Sequence, residues 1–202
     1  MKLLSRLPLR ALLTLPYVAL VLGTAIVIGI LSYASGRDAV DNLSGQLLTG
    51  LANREALIRR VEDRIVQQRR RGDPRPFAVL FVDINNFKKV NDAYGHDVGD
   101  AVLQEIAARL AGAVRADDLV ARYAGDEFLV MLDAADRRED VERICAHLVD
   151  LMAQPLAALP PDGPRPQLGA AIGHAVYPED GQDVDTLVRH ADQQMYLRKR
   201  ES

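Results

Sequence analysis

Apolar residues fall along this chain in three kinds of run. The first is unbroken: residues 11–36 carry no charge and are rich in Leu, Val and Ile. At ~1.5 Å of rise per residue, such a stretch is long enough as a helix to cross a hydrocarbon core of about 30 Å. The second kind recurs at helical spacing. Ala56, Leu57, Val61 and Ile65 form one such face, and Val102, Leu103, Ile106, Leu110 and Val114 another. Val141, Ile144, Leu148 and Leu151 form a third, and the closing segment contains Leu187, Val188, Ala191, Met195 and Tyr196. The third kind is short and continuous, as strands covered on both sides require: Phe77–Val82, Leu119–Tyr123, Phe128–Leu132 and about Leu168–Val176.

Local signals bound these elements. Asn53 suits the N-cap of the first amphipathic helix, which Gly72-Asp73-Pro74 is expected to stop. Gly95 to Asp100 is a turn-rich passage that opens the next helix. A third helix is expected over about Asp140–Met152 and a closing one from near Asp183. Polar residues dominate Ile84–Asp92, directly after the first strand, and Pro155–Pro166 reads as a proline-rich loop. The order is helix, strand, helix, hairpin, helix, strand, helix. It predicts an α/β fold with a mixed central sheet flanked by helices, not a doubly wound parallel sheet.

The uncharged stretch divides the chain into a basic tail (1–10), a single membrane span (11–36), a short connector (37–46) and one domain (47–202). It is longer than the ~7–15 residues of a signal-peptide core, and no small-x-small cleavage site closes it, which favours a retained helix. Its charge flanks conflict with its contents. Lys2, Arg6 and Arg10 precede it and Arg37 alone follows closely, which by the positive-inside rule would put the domain outside the cytoplasm, whereas the later Arg54, Arg59, Arg60, Arg64 and Arg69 to Arg71 would favour retention inside. The net charge of −3 and the scarcity of aromatic residues argue against a nucleic-acid surface. The single Cys145 permits no internal disulfide, and a buried structural thiol is expected.

Three acids are placed for chemistry. Asp83 ends the first strand, and Asp126 and Glu127 follow Gly125 at the hairpin tip. Acids from separate strand ends suit magnesium and nucleotide phosphates, because magnesium binds a few carboxylates and leaves room for phosphate oxygens and water. Spacing alone leaves open the plainer reading, in which all three are turn residues. A calcium loop starting at Asp83 is excluded, since Phe87 and Tyr94 fall where oxygen ligands are required. His96 is either a base or a turn residue, and His147, His174 and His190 show no ligand spacing. There is no P-loop, dinucleotide fingerprint or nucleophile elbow.

The motifs around these acids form a series. In order they are Leu48-Thr49-Gly50-Leu51-Ala52-Asn53-Arg54, Asp83-Ile84-Asn85-Asn86-Phe87-Lys88, Asn91-Asp92-Ala93-Tyr94-Gly95-His96 and Gly99-Asp100. Arg122-Tyr123-Ala124-Gly125-Asp126-Glu127-Phe128, Tyr177-Pro178-Glu179-Asp180-Gly181, Ala191-Asp192 and Met195-Tyr196 complete it. Over roughly three quarters of the chain this series resembles the GGDEF domain of bacterial diguanylate cyclases. The resemblance implies a fold similar to adenylyl cyclase and polymerase palm domains. It also implies the condensation of two GTP to cyclic di-GMP and two pyrophosphates across a homodimer at the inner membrane, with the catalytic domain in the cytoplasm.

Carried over by position, the resemblance makes Asp83, Asp126, Glu127 and the Ile84 carbonyl ligands of Mg²⁺ or Mn²⁺, with Glu127 and Asp126 catalytic. Asn91 and Asp100 would read guanine, Phe87 and Lys88 would offer amides to phosphate, and Lys88 and Lys199 would add positive charge. His96 and Gly125 would also lie beside the substrate. Arg115 and Asp118 match an inhibitory product site, with five residues between Asp118 and Ala124. Three departures stand out: Ala124 replaces the first Gly of the signature, the family's Gly-Arg-Asn ending is absent after Lys199, and no sensor domain separates the apolar stretch from the cyclase motifs. They raise two other expectations, a catalytically silent cyclic di-GMP receptor acting through Arg115 and Asp118, or an inert shortened sensor.

Overall fold

The computed structural model describes residues 20–30, 32–33, 48–71, 75–135 and 137–201. The chain divides into two compact units, Met1–Asp41 and Asn42–Ser202. In the first, residues 20–30 and 32–33 are helical, with Leu20, Ile26, Ile28 and Ile30 exposed. Among the described residues no helix is long and apolar enough to cross a membrane. The basic tail, residues 11–19, 31 and 34–36 of the expected span, and the connector 37–46 lie outside the described residues.

The second unit is built on a five-stranded sheet: β1 (Ala52–Asn53), β2 (Phe77–Asn85), β3 (Leu119–Ala124), β4 (Glu127–Leu132) and β5 (Gly169–Tyr177). Strand order is β1-β3-β4-β2-β5. β1 runs parallel to β3 and every other pairing is antiparallel, so the sheet is mixed as expected. Among the described residues these helices accompany it: α1 (Arg54–Arg71), α2 (Phe87–Tyr94), α3 (His96–Ala113), α4 (Arg138–Met152) and α5 (Val184–Glu201).

Strand alternation explains why the sheet is covered on both faces. Leu80, Val82, Phe128 and Val130 join Ile106 and Leu110 of α3 and Leu148 of α4 in one apolar cluster. Val79, Phe81, Leu129 and Met131 join Leu57 and Val61 of α1 and Leu187 and Met195 of α5 in the other. β2 lies between β4 and β5 and has eight successive buried residues, Phe77 to Ile84. Its continuous apolar pattern reflects burial on two faces, not loss of alternation. Cys145 is buried in the first cluster, and burial pushes its thiol up to about 11.

Two elements go beyond the sequence pattern. β1 is a two-residue strand, too short to carry a period. The polar stretch after the first strand folds as the eight-residue α2, which buries only Phe87 and Val90. The expected cap is present, the Ala56 amide donating to Asn53 Oδ1 at 2.9 Å, and the Thr186 amide donates likewise to Asp183 Oδ1 at 2.8 Å. Gly72-Asp73-Pro74 lies outside the described residues.

Candidate active site

β2 runs three residues past the apolar run Phe77–Val82, because β4 keeps pairing with it to Asp83 and β5 to Asn85. Asp83 stands opposite Glu127 on β4, and Ile84 and Asn85 stand opposite Ala170 and Gly169 on β5. This register puts Asp83 and Glu127 side by side at the sheet end. The hairpin tip folds over them, and the Ile84 amide donates to the Asp126 carbonyl at 3.2 Å. The Arg122 Nε–H donates to the Gly125 carbonyl at 3.0 Å and braces the turn from within. Gly125 has φ +50°, a left-handed conformation that disfavours a Cβ. Ala124 has no such φ, so its backbone accepts an L side chain.

Alternation aims Asp83 and Glu127 at the α1/α5 face. Lys199 reaches from α5 to Asp83, its Nζ donating to Oδ1 at 2.6 Å, while Asp83 itself is 5 % exposed. A close approach of backbones sets that reach. A Cβ at Gly173 of β5 would lie 2.0 Å from the Ala191 carbonyl oxygen and 2.2 Å from the Met195 nitrogen. Lys199 follows Met195 by about one helical turn, so the glycine contact fixes its distance from the sheet. Beside it a cavity of about 360 Å³ is lined by Arg54, Tyr123, Glu127, Arg189 and Asp192, among others. The Arg54 guanidinium lies 4.6 Å from the centre of the Tyr123 ring, within cation–π range.

The acids repel one another. Burial, with the charges of Asp83, Asp126 and Asp192, pushes the Glu127 carboxyl above its ordinary range. Burial also raises Asp126, with Asp83 adding to it and Lys199 and Arg122 opposing. Burial lowers Arg122, against the charges of Asp100 and Asp126. This donor chemistry fits a hard divalent cation, whose charge would offset the repulsion that Lys199 now offsets in part. Among the described residues, however, no three acidic, His or Cys side chains are gathered closely enough to hold a metal ion.

Of the positions expected to bind nucleotide, Phe87, Lys88, Asn91, His96 and Asp100 lie on α2 and α3, which pack on the opposite face, whereas Lys199 lies with the acids and Gly125 at the hairpin tip. Phe87 and Lys88 open α2, with Phe87 buried and Lys88 exposed. Asn91 lies over the first turn of α3: a Cβ on Gly99 would meet Asn91 Oδ1 at 1.9 Å, and that oxygen is buried without a hydrogen-bond partner. Asp100 and His96 are exposed on α3. The acids and the positions expected to contact guanine, Asn91 and Asp100, therefore belong to elements on opposite faces of the sheet.

Arg115 and Asp118 form a tight turn at the far end of β3. Asp118 Oδ2 accepts from the Arg115 amide and Oδ1 from the Asp133 amide, both at 2.9 Å, and Arg115 is exposed. Sequence reasoning assigned no role to Arg122, Arg54 or Asp192. Each lies within a quoted motif, so the signal was present, but only packing shows what these side chains meet.

The family model described as diguanylate cyclase, GGDEF domain, matches residues 46–202. The bifunctional diguanylate cyclase/cyclic di-GMP phosphodiesterase MucR of Pseudomonas aeruginosa is 43 % identical over 152 residues, covering 75 % of this chain but 21 % of MucR. This chain thus spans about a fifth of that relative's length. The solved GGDEF domain of TpbB (YfiN) from the same species superposes with a TM-score of 0.69 at 36 % identity, covering 76 % of this chain and 93 % of that one. A microbial GGDEF domain solved for its interaction with cyclic di-GMP superposes at 0.62 with 28 % identity, covering 77 % and 92 %. Asp83 paired with Glu127 at the strand end, a left-handed glycine at the hairpin tip and these matches agree, and the chain belongs to the GGDEF family of diguanylate cyclase domains.

Proposed function

We propose that this chain is a membrane-anchored diguanylate cyclase that condenses two GTP into cyclic di-GMP, as a homodimer and with Mg²⁺ or Mn²⁺. The supporting observation is the register that sets Asp83 against Glu127 beneath the Gly125 turn, with Lys199 beside them. Asp83, Asp126, Glu127 and the Ile84 carbonyl are the groups that would hold the metal, which when bound supplies Lewis-acid stabilisation of phosphoryl charge.

The chain's own residues do the rest. Asn91 and Asp100 hold the guanine edge, an amide and a carboxylate being able to match its acceptor and donors. The first amides of α2, at Phe87 and Lys88, and the Lys88 and Lys199 ammonium groups face the triphosphate. Glu127 accepts the proton of a ribose 3′-hydroxyl, the acceptor role that a carboxylate beside the reacting group can fill. The 3′ oxygen bonds to the α-phosphorus of the second GTP as the α–β anhydride bond breaks and pyrophosphate leaves. The same exchange in the opposite sense closes the ring, so two copies of the chain present their nucleotides to each other.

Incubation of the chain with GTP and Mg²⁺, followed by chromatography, tests this reading. Cyclic di-GMP is expected from the wild type and none from Glu127→Ala, while Arg115→Ala is expected to relieve product inhibition. Product from Glu127→Ala at the wild-type rate would sink the mechanism. Binding of cyclic di-GMP by a wild type that makes none would establish the receptor reading instead. The uncharged stretch 11–36 supports the anchor and the need for cellular GTP a cytoplasmic domain. A C-terminal alkaline phosphatase fusion is expected to be inactive, and robust periplasmic activity would overturn that orientation.

A further inference from the structure

The proline-rich segment 155–167 is tied to both helices that carry the base-reading positions. At the start of α2, Asn86 is the one non-glycine residue with positive φ among the described residues, at +63°. An Asn before a helix ordinarily caps it through its side chain. Here it makes no cap bond, and its Nδ2 donates to the Gln167 carbonyl at 3.0 Å. At the far end of α2, the Tyr94 hydroxyl donates to the Pro164 carbonyl. Gly163, at φ +134°, lets that hydroxyl in, since a Cβ there would lie 2.7 Å from Tyr94 Oη. Both ends of α2 are thus anchored on one segment.

The other end of the segment is anchored on α3. Glu105 Oε1 and Oε2 accept from the Ala157 and Ala158 amides at 3.2 and 2.8 Å. Arg109 donates to the Leu151 and Gln154 carbonyls, each at 3.0 Å, and to Glu105 at 2.7 Å. Burial opposes ionisation of Glu105, but the Ala158 and Ala157 amides and Arg109 hold its carboxyl below the usual range, keeping the anchor charged. Five prolines between 155 and 166 restrict the intervening backbone, so the tie transmits position instead of slackening.

We propose that this segment is a strap that fixes the separation of Asn91 on α2 and Asp100 on α3. Asn86, Tyr94 and Glu105 are then positioning residues for guanine selection. The inference rests on the reading of Asn91 and Asp100 as guanine contacts. A pocket that reads a purine edge depends on donor and acceptor spacing, and a site left with unpaired polar groups loses discrimination steeply.

The test uses the full chain and three variants that spare the fold: Tyr94→Phe keeps the ring, Asn86→Gly keeps the left-handed backbone, and Glu105→Gln keeps the shape. KM and kcat are measured for GTP and for ITP, which lacks the 2-amino group, alongside melting temperature. Each variant is expected to raise KM for GTP about fivefold, the worth of one hydrogen bond, with kcat within about twofold. The GTP-to-ITP ratio of kcat/KM should fall with it. Wild-type KM and wild-type discrimination in all three, whatever the melting temperature does, would overturn the strap. So would a fall in kcat and melting temperature with no change in that ratio. If the wild type binds GTP without turnover, equilibrium affinities for GTP and ITP carry the same comparison. If it binds neither, the guanine reading fails, and the strap with it.

Discussion

Ala124 and Gly125 are neighbours on the hairpin, yet the backbone asks different things of them. Ala124 ends β3 and pairs with Glu127, where a methyl group is tolerated. Gly125 turns the chain at φ +50°, and nothing lies within 4 Å of a Cβ built there, so the demand is conformational and not one of space. An L residue in left-handed backbone costs about 1–2 kcal/mol. Gly125→Ala is therefore expected to lower domain stability by about that amount and to depress cyclase turnover by shifting Asp126. A denaturation midpoint and turnover number both equal to wild type would refute the assignment of strain to this residue. The departure from two glycines thus falls on the position that needs glycine less.

At the scale of elements, the junction of β5 and α5 governs the acidic end of the site. Backbone meets backbone at Gly173, so Gly173→Ala must push α5 away from the sheet. The expected cost is about 3 kcal/mol or more, the upper range for overpacking. The displaced helix should carry Lys199 off Asp83. Thermal melting gives the first readout and a raised KM for GTP the second; an unchanged melt would show that the helix can give way cheaply. None of this was legible in the sequence, where Gly173 sits unremarked within an apolar strand. Strands and amphipathic helices were legible, because burial on one or two faces imprints a period. Asp83, Asp126 and Glu127 were legible as strand-end acids. α2 was not, because Phe87 and Val90 alone are too few to show a period, and Asn86 reads as a turn residue until its partner Gln167 is seen.

At the scale of the whole domain, the sheet divides the work between its faces. Acids and Lys199 occupy one, the positions proposed to read guanine the other, and the end of β2 with its hairpin lies between them. The two faces also have separate apolar clusters, so the site straddles both cores. Neither face alone holds the whole site. The lone thiol gives this unity a chemical expression. Cys145 lies between α4 and the sheet, and at pH 8 a group titrating near 11 is roughly one part in a thousand thiolate, the reactive form. An alkylating reagent therefore reacts with it chiefly in molecules whose core has opened. One sulfur atom keeps a cumulative record of excursions from the native fold, and any nucleotide that binds the closed form slows that record by mass action, whether or not a single turnover has occurred.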